Sequence, residues 1–378
     1  MLLRAAIMAG TACAASGAAT VLVGGVSGTQ GAAFSLAVGS GALQLVSNSS
    51  AFGASPAYMA LSADRAMLYV TNHGAGEGSS GVTSLAVAWG AGGGVPSFTF
   101  RGFSACDDPA HIALHASGAW AATASYSAGT VSLFAVDAAR SLRLVSTQPA
   151  GANAHQVVFA RAPAAAVYVP CLGADAVAQF TLDTVAGVLA PLAVAPRIAL
   201  APGSGPRHMA IAPDGRTAWV LCELSSTLVQ FGFDADGSLV DAQLPALSTV
   251  RPGRPPADVQ AAAAIVVSDD GKFIYVSNRA SPASAGDNSV LALAAGAGPA
   301  APATPLAWAD AGGAVNFPRD IALLQTPGNP LLVVASQHGN ALTVFARDAA
   351  TGNLTLLGAN AVASAPVLGP SFVLPLGV

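Results

Sequence analysis

Charge is what this sequence has least of. Only 9% of its 378 residues are charged, while 53% are hydrophobic. About 25% charged is ordinary for a soluble protein. Intrinsic disorder needs the opposite balance, low hydrophobicity with high charge, and is excluded. A coiled coil is excluded because the charged flanks of its heptads are missing. A net charge of −4 leaves no basic stripe to neutralise phosphates, so no nucleic-acid partner is expected. Cysteine is also scarce. Cys13, Cys106, Cys171 and Cys222 form no C-x-x-C pair, which argues against a structural zinc site. Long apolar runs are missing too. No charge falls between Arg4 and Asp64, but that stretch is mostly Ala, Gly and Ser. It lacks the roughly 20 strongly apolar residues of a spanning helix, so a soluble protein without stable membrane insertion is expected.

Residues 1–19, MLLRAAIMAGTACAASGAA, admit two readings. One Arg, an apolar stretch and small residues outline a thin signal peptide; the alternative is an Ala-rich N-terminal extension. Localisation is therefore open between cytoplasm and export.

From residue 20 onward the chain repeats. A short strand led by Pro-x-His or a relative begins at Pro56 (PAYMALSAD), Pro109 (PAHIALHAS), Asn153 (NAHQVVFAR), Pro206 (PRHMAIAPD), Ala262 (AAAIVVSDD) and Pro318 (PRDIALLQT). A second strand follows each, for example MLYVTNHG, AWVLCELS and FIYVSNRA, and then a third such as TVSLFAVD or TLVQFGFD. The spacing of about 44 to 56 residues is that of four-stranded propeller blades. Asp-Gly turns at Pro213–Arg216 and Asp269–Lys272 fall where a hairpin between first and second strands needs them. Six units are complete. The seventh is split: ATVLVGG, AAFSLAV and LQLVS near the N-terminus lack a first strand, and PSFVLPL near the C-terminus supplies one. Pairing the two ends closes an all-β, seven-bladed β-propeller over residues 20–378 and removes its open edges. Cys171 and Cys222 occupy one repeat position in neighbouring blades. Packed sheets lie about 10 Å apart, too far for a disulfide, so both are expected to be free thiols.

First-strand starts and second-strand ends share one face of such a disc, around the central channel. The rare polar groups fall there. Of six His, His111, His155 and His208 are at first-strand starts, and His73 and His338 at second-strand ends. Glu223, one of only two Glu, and Arg279 end second strands; Arg207 and Arg319 lie at first-strand starts. A pocket of His, Glu and Arg suits an anionic substrate and acid–base chemistry. Asn72, Tyr126 and Gln337 are candidate wall residues. The structural alternative is that His111 and His208 only hydrogen-bond within the scaffold, and that Arg319 only pairs with Asp320. H-x-H, H-E-x-x-H and paired-carboxylate spacings are absent, so no catalytic metal is expected. The Gly-rich segment around Glu77 has no Lys and reads as a blade loop rather than a phosphate-binding loop.

PGSGPRHMAIAPDGRTAWVLCELSSTL (Pro202–Leu228), IVVSDDGKFIYVSNR (Ile265–Arg279), FPRDIAL and TGNLTLLG together resemble the seven-bladed propeller lactonase family, which includes propeller-type 6-phosphogluconolactonase and fungal carboxymuconate cycloisomerase. The resemblance implies an active site at His155, Arg207, Glu223 and Arg279, with the two Arg binding an anionic group or the developing oxyanion and His155 or Glu223 acting as general base. His208, His111, Arg319, Tyr126, Asn72 and Gln337 are the expected substrate-binding residues. It implies a small anionic lactone as partner and no cofactor; a monomer is expected. Muconate-type cycloisomerisation and a non-catalytic binding propeller remain alternatives. The chain departs from the family at Asn153 (His in the pattern), Cys171 (Asp), Cys222 (Asn) and Ala264 (Glu), which raises the question whether the site is intact.

Overall fold

The computed structural model describes residues 18–27, 31–73, 80–90, 95–161, 165–242, 244–254, 260–281, 286–324, 330–361 and 368–376. Most of the N-terminal segment, with Cys13, and Glu77 lie outside the described residues. Among the described residues, thirty strands form seven antiparallel sheets, the blades of one propeller. Blade 1 holds both ends of the chain. Its innermost strand is Leu368–Pro375, followed outward by Ala18–Ser27, Gly31–Ala37 and Ala42–Ser49. Val21 pairs with Pro375 and Val23 with Val373, so the ring closes between the termini as the repeats require. Blades 2 to 7 follow in chain order, with innermost strands Pro56–Leu61, Pro109–Leu114, Val158–Phe159, Pro206–Ile211, Gln260–Val267 and Pro318–Leu324. No helix among the described residues is long and apolar enough to cross a membrane.

The shortage of charge follows from this architecture. The second and third strands of a blade are covered on both faces by its neighbours. Met67–Asn72, Ala166–Cys171, Phe273–Ala280 and Leu331–Ser336 are buried along their whole length. Seven apolar clusters fill the seven gaps between blades. One joins Val23 and Phe34 of blade 1 to Val333 and Val344 of blade 7; another joins Val169 and Phe180 of blade 4 to Ala122 and Leu133 of blade 3. Burial of this apolar area, at about 25 cal/mol per Å², is what holds blade to blade. Tyrosines add directional ties. The hydroxyls of Tyr69, Tyr168 and Tyr275 donate to the Arg140, Gly237 and Gly352 carbonyls of the next blade, at 2.9, 2.5 and 2.8 Å. Cys171 and Cys222 are free and buried in different inter-blade clusters.

Two backbone devices recur where the inner strands begin. A left-handed residue stands near the inner-strand start in six blades: Ser55, Asp108, Gly205 and Phe317 directly precede the strand, Asn153 precedes the Ala154 bridge of blade 4, and Gly369 is the second residue of Leu368–Pro375, with φ between 35° and 63°. Only two of the six are glycine, so four carry the cost of a side chain in that conformation. The second device is an extra residue in the strand. Pairing skips one residue between Pro56 and Tyr58, Pro109 and His111, Pro206 and His208, and Pro318 and Asp320, and blade 1 skips Ser371 in the same way. Successive strand residues normally point to opposite faces. A bulge re-aims one of them, so Arg207 and His208, or Arg319 and Asp320, can both face the channel.

Blade 4 departs from the repeat. Its innermost strand is only Val158–Phe159, and the expected start is reduced to a bridge between Ala154 and Cys171. The Gln156 side-chain oxygen accepts from the Met209 backbone N–H of blade 5 at 2.6 Å, which ties this segment sideways instead of to its own sheet.

Asp320 ties blade 7 to the closing strand. Its Oδ2 accepts from the Val373 N–H at 3.0 Å. Burial pushes its carboxyl up to about 7, against the pull of that hydrogen bond and of Arg207. Between about pH 4 and 7 the native group therefore keeps a proton that the unfolded chain has released. Its contribution to stability is complete below that window, falls as pH rises through it and is flat above. Asp320→Asn keeps an acceptor for Val373 and cannot ionise. Its unfolding free energy is expected to fall less than that of wild type between about pH 4.5 and 7.5, by ~1–4 kcal/mol, in denaturant melts. Equal pH slopes for the two proteins would contradict a buried, proton-retaining Asp320.

Candidate active site

The bulged strands and the second-strand ends enclose a cavity of about 380 Å³, enough for one small ligand. The bulge residues Ala57, Ala110, Arg207, Arg319 and Ser371 line it, together with Tyr58, His208 and Asp320, which follow three of the bulges, and His155 of blade 4. The residue just after the second strand contributes His73 in blade 2, Tyr126 in blade 3, Leu172 in blade 4 and Glu223 in blade 5, and Arg279 comes from the equivalent strand of blade 6. Asp108 completes the wall.

Arginine dominates the electrostatics. Oε2 of Glu223 lies 2.8 Å from Nε of Arg207 and 2.8 Å from Nη2 of Arg279. The Arg207 Nε–H is an ion-pair contact without hydrogen-bond alignment. Arg207 also donates through Nη1 to the Ala263 carbonyl, and to Nε2 of His208 at 3.3 Å. A guanidinium only donates, so His208 presents a lone pair at Nε2 and is neutral. Burial, then the charge of Arg279, draws Arg207 down to about 9 and Arg319 to about 10, and both remain cations at neutral pH. Arg279 sits with its guanidinium 5.2 Å over the Phe317 ring, and that ring stacks on His338 at 3.9 Å.

The histidines divide into two groups. His111, His155 and His208 are buried in a ring cluster: His155 and His208 are edge to face at 5.1 Å, and His111 lies 6.1 Å from His208 and 3.9 Å from Tyr58. Burial, then the charge of Arg207, lowers His155 and His208 well below the ordinary histidine range and His111 to about 3. All three are neutral at neutral pH. His73 differs: it is one-third exposed, and its Nδ1 lies 2.5 Å from Oδ1 of Asp108. The second Asp108 oxygen accepts from the Ser127 hydroxyl. Burial would raise this carboxyl, but the Ser127 bond and His73 outweigh it and leave Asp108 below its usual range.

Of the candidates read from the sequence, His155, Arg207, Glu223, Arg279, His208, Arg319, Tyr126 and His73 meet at this one cavity. His111 stands beside it, against Tyr58. His338 reaches it only through Phe317. Asn72 and Gln337 do not line it. The Asn72 amide is used up internally, donating to the Phe52 and Ala54 carbonyls and accepting from the Thr83 hydroxyl. Tyr58, Asp108, Asp320 and Ser371 line the cavity without having been singled out. Tyr58 and Asp320 occupy the His position of the Pro-x-His pattern, in PAY and PRD, and that register was the signal for them. The four departures from the family pattern stay off the wall. Asn153 holds a left-handed φ of 54°, which Asn tolerates better than most residues. Cys171, Cys222 and Ala264 are buried between blades. Among the described residues no group of three or more His, Cys, Asp or Glu side chains is placed to hold a metal ion.

Known proteins share this pattern. The family described as lactonase, 7-bladed beta-propeller, matches residues 20–373. The 6-phosphogluconolactonase of Bacillus subtilis is 27% identical over 325 residues, covering 82% of this chain and 86% of that protein. An uncharacterized protein of Lactococcus lactis is 30% identical over 244 residues, 62% of this chain, and the match spans 65% of the relative's length. The periplasmic gluconolactonase of Pseudomonas aeruginosa superposes with a TM-score of 0.77 at 23% identity, over 95% of this chain and 99% of that one. With a match that runs through all seven blades, the chain belongs to the seven-bladed β-propeller lactonase family.

Proposed function

We propose that this protein hydrolyses an anionic sugar lactone, with 6-phosphogluconolactone as the first substrate to test. The observation that carries the reading is the excess of positive charge in the cavity. Arg207, Arg279 and Arg319 face Glu223, Asp108 and an Asp320 that is only part ionised near pH 7. Buried guanidiniums without full compensation are costly unless an anion joins them. A phosphate or carboxylate on the substrate supplies that charge and pairs well with the planar fork of Arg. The named Bacillus subtilis relative points to a phosphorylated lactone, and the Pseudomonas aeruginosa neighbour points to an unphosphorylated one.

Hydrolysis adds water to the lactone carbonyl, and negative charge develops on its oxygen. Donors fixed in advance at that oxygen are the largest single aid such a reaction receives. Arg207 and Arg279 fit the part, because Glu223 holds both guanidiniums at 2.8 Å. That same clamp occupies Glu223, which makes it an organiser of the arginines rather than a free base.

In a pH-stat, wild type is expected to hydrolyse 6-phosphogluconolactone above the spontaneous rate and in preference to gluconolactone. Arg279→Ala and Glu223→Gln are each expected to lower kcat/KM by at least about 100-fold, the scale of a lost oxyanion donor. Turnover of neither lactone would overturn the reading and leave a binding propeller; equal rates on both would remove the anionic group from it. A second test concerns the departures. Asn153 does not line the cavity, so Asn153→His is expected to leave kcat/KM within about threefold of wild type. A change of tenfold or more would place position 153 in the site.

A further inference from the structure

We propose that His73, oriented by Asp108, is the general base of this site. The inference rests on the lactonase reading and deepens it. Water attack requires a group that can take a proton, and the obvious candidates are poorly suited. Glu223 is held between two guanidiniums through one oxygen. His155 and His208 are neutral, but burial beside Arg207 makes them weak acceptors, and a good base has a pKa near the working pH.

His73 meets the requirements geometrically. It lines the cavity and is partly open to solvent. Its contact with Asp108 is the only histidine–carboxylate pair among the described residues. At 2.5 Å from Oδ1, the ring places its proton on Nδ1 and leaves the lone pair on Nε2, which is the tautomer a base needs. Asp108 is built to hold that orientation. It is the left-handed residue before Pro109, with φ 35°. Its backbone N–H donates to the Ser80 hydroxyl at 2.7 Å, and its other carboxylate oxygen is fixed by Ser127. A non-glycine residue kept in that conformation at a cavity wall is strain of the kind found where a side chain must be aimed.

The step balances without any co-reactant. Nε2 of His73 takes a proton from water as the water oxygen bonds to the carbonyl carbon, and the carbonyl electron pair moves onto the oxygen facing Arg207 and Arg279. When that oxyanion collapses, the ring C–O bond breaks. The imidazolium returns its proton to the departing ring oxygen, giving the open hydroxy acid. Asp108 stays ionised throughout and acts as a positioning residue.

The test is steady-state kinetics on 6-phosphogluconolactone and gluconolactone with His73→Ala, His73→Gln and Asp108→Asn, each checked for an unchanged melting temperature. Both His73 variants are expected to lose about 100-fold or more in kcat, with KM within about threefold. Added imidazole is expected to restore part of the His73→Ala rate, because the side chain it replaces opens to solvent. Asp108→Asn is expected to lower kcat at least about tenfold, since an amide also stabilises the wrong tautomer. Wild-type kcat in either folded His73 variant, or a loss in folded His73→Ala that imidazole leaves untouched, would overturn the dyad alone. A wild-type protein inactive on both lactones would overturn the lactonase reading, and the dyad with it.

Discussion

One extra residue at the start of an inner strand is the constraint on which this site depends. Alternation in a regular strand would send Arg207 and His208 to opposite faces. The skipped pairing opposite Cys222 and Leu221 brings both to the channel, and the same skip does so for Arg319 and Asp320. Repeated around the ring, it lines one cavity with side chains from blades far apart in sequence. Two of the left-handed residues before the bulges perform a related task at the rim, where Asp108 meets His73 and Phe317 lies under Arg279.

The scaffold makes such a concentration of charge tolerable. The blades are held by apolar clusters of Val, Leu, Ala and Phe and by neutral tyrosine hydroxyl bonds. Few ionic contacts compete with the site for counter-charge. Arg207 is almost fully buried, and its charge is met by Glu223, by the Ala263 carbonyl and by the lone pair of His208. Three neutral histidines around it supply polarisable surroundings without adding further positive charge.

Much of this was legible in the chain itself. The 44-to-56-residue repeat and the split seventh unit specified the ring and its closure, because hydrophobic periodicity and turn chemistry are local properties. The clustering of scarce His, Glu and Arg at strand ends found seven residues that share the cavity, and Tyr126, read as a wall residue, is an eighth. Residue type alone was misleading elsewhere. Asn72 and Gln337 end their strands as the wall residues do, yet Asn72 spends its amide on backbone carbonyls across a loop, a partnership set by tertiary contact. Tyr58 and Asp320 were passed over because they are not histidines, although they hold the histidine register. The His73–Asp108 contact joins two blades across 35 residues, and no spacing rule anticipates it. The shortening of blade 4 depends in the same way on Gln156 reaching blade 5.

The central claim is that the bulged strands create a buried, net-positive cavity fitted to a small anion. Calorimetric titration with 6-phosphogluconate, the product of the proposed reaction, tests it most directly. Binding at one site per chain is expected, weakening as salt is raised and falling at least about tenfold in Arg319→Gln, the scale of a lost charged hydrogen bond. Absence of binding, or binding indifferent to both salt and Arg319, would contradict the account.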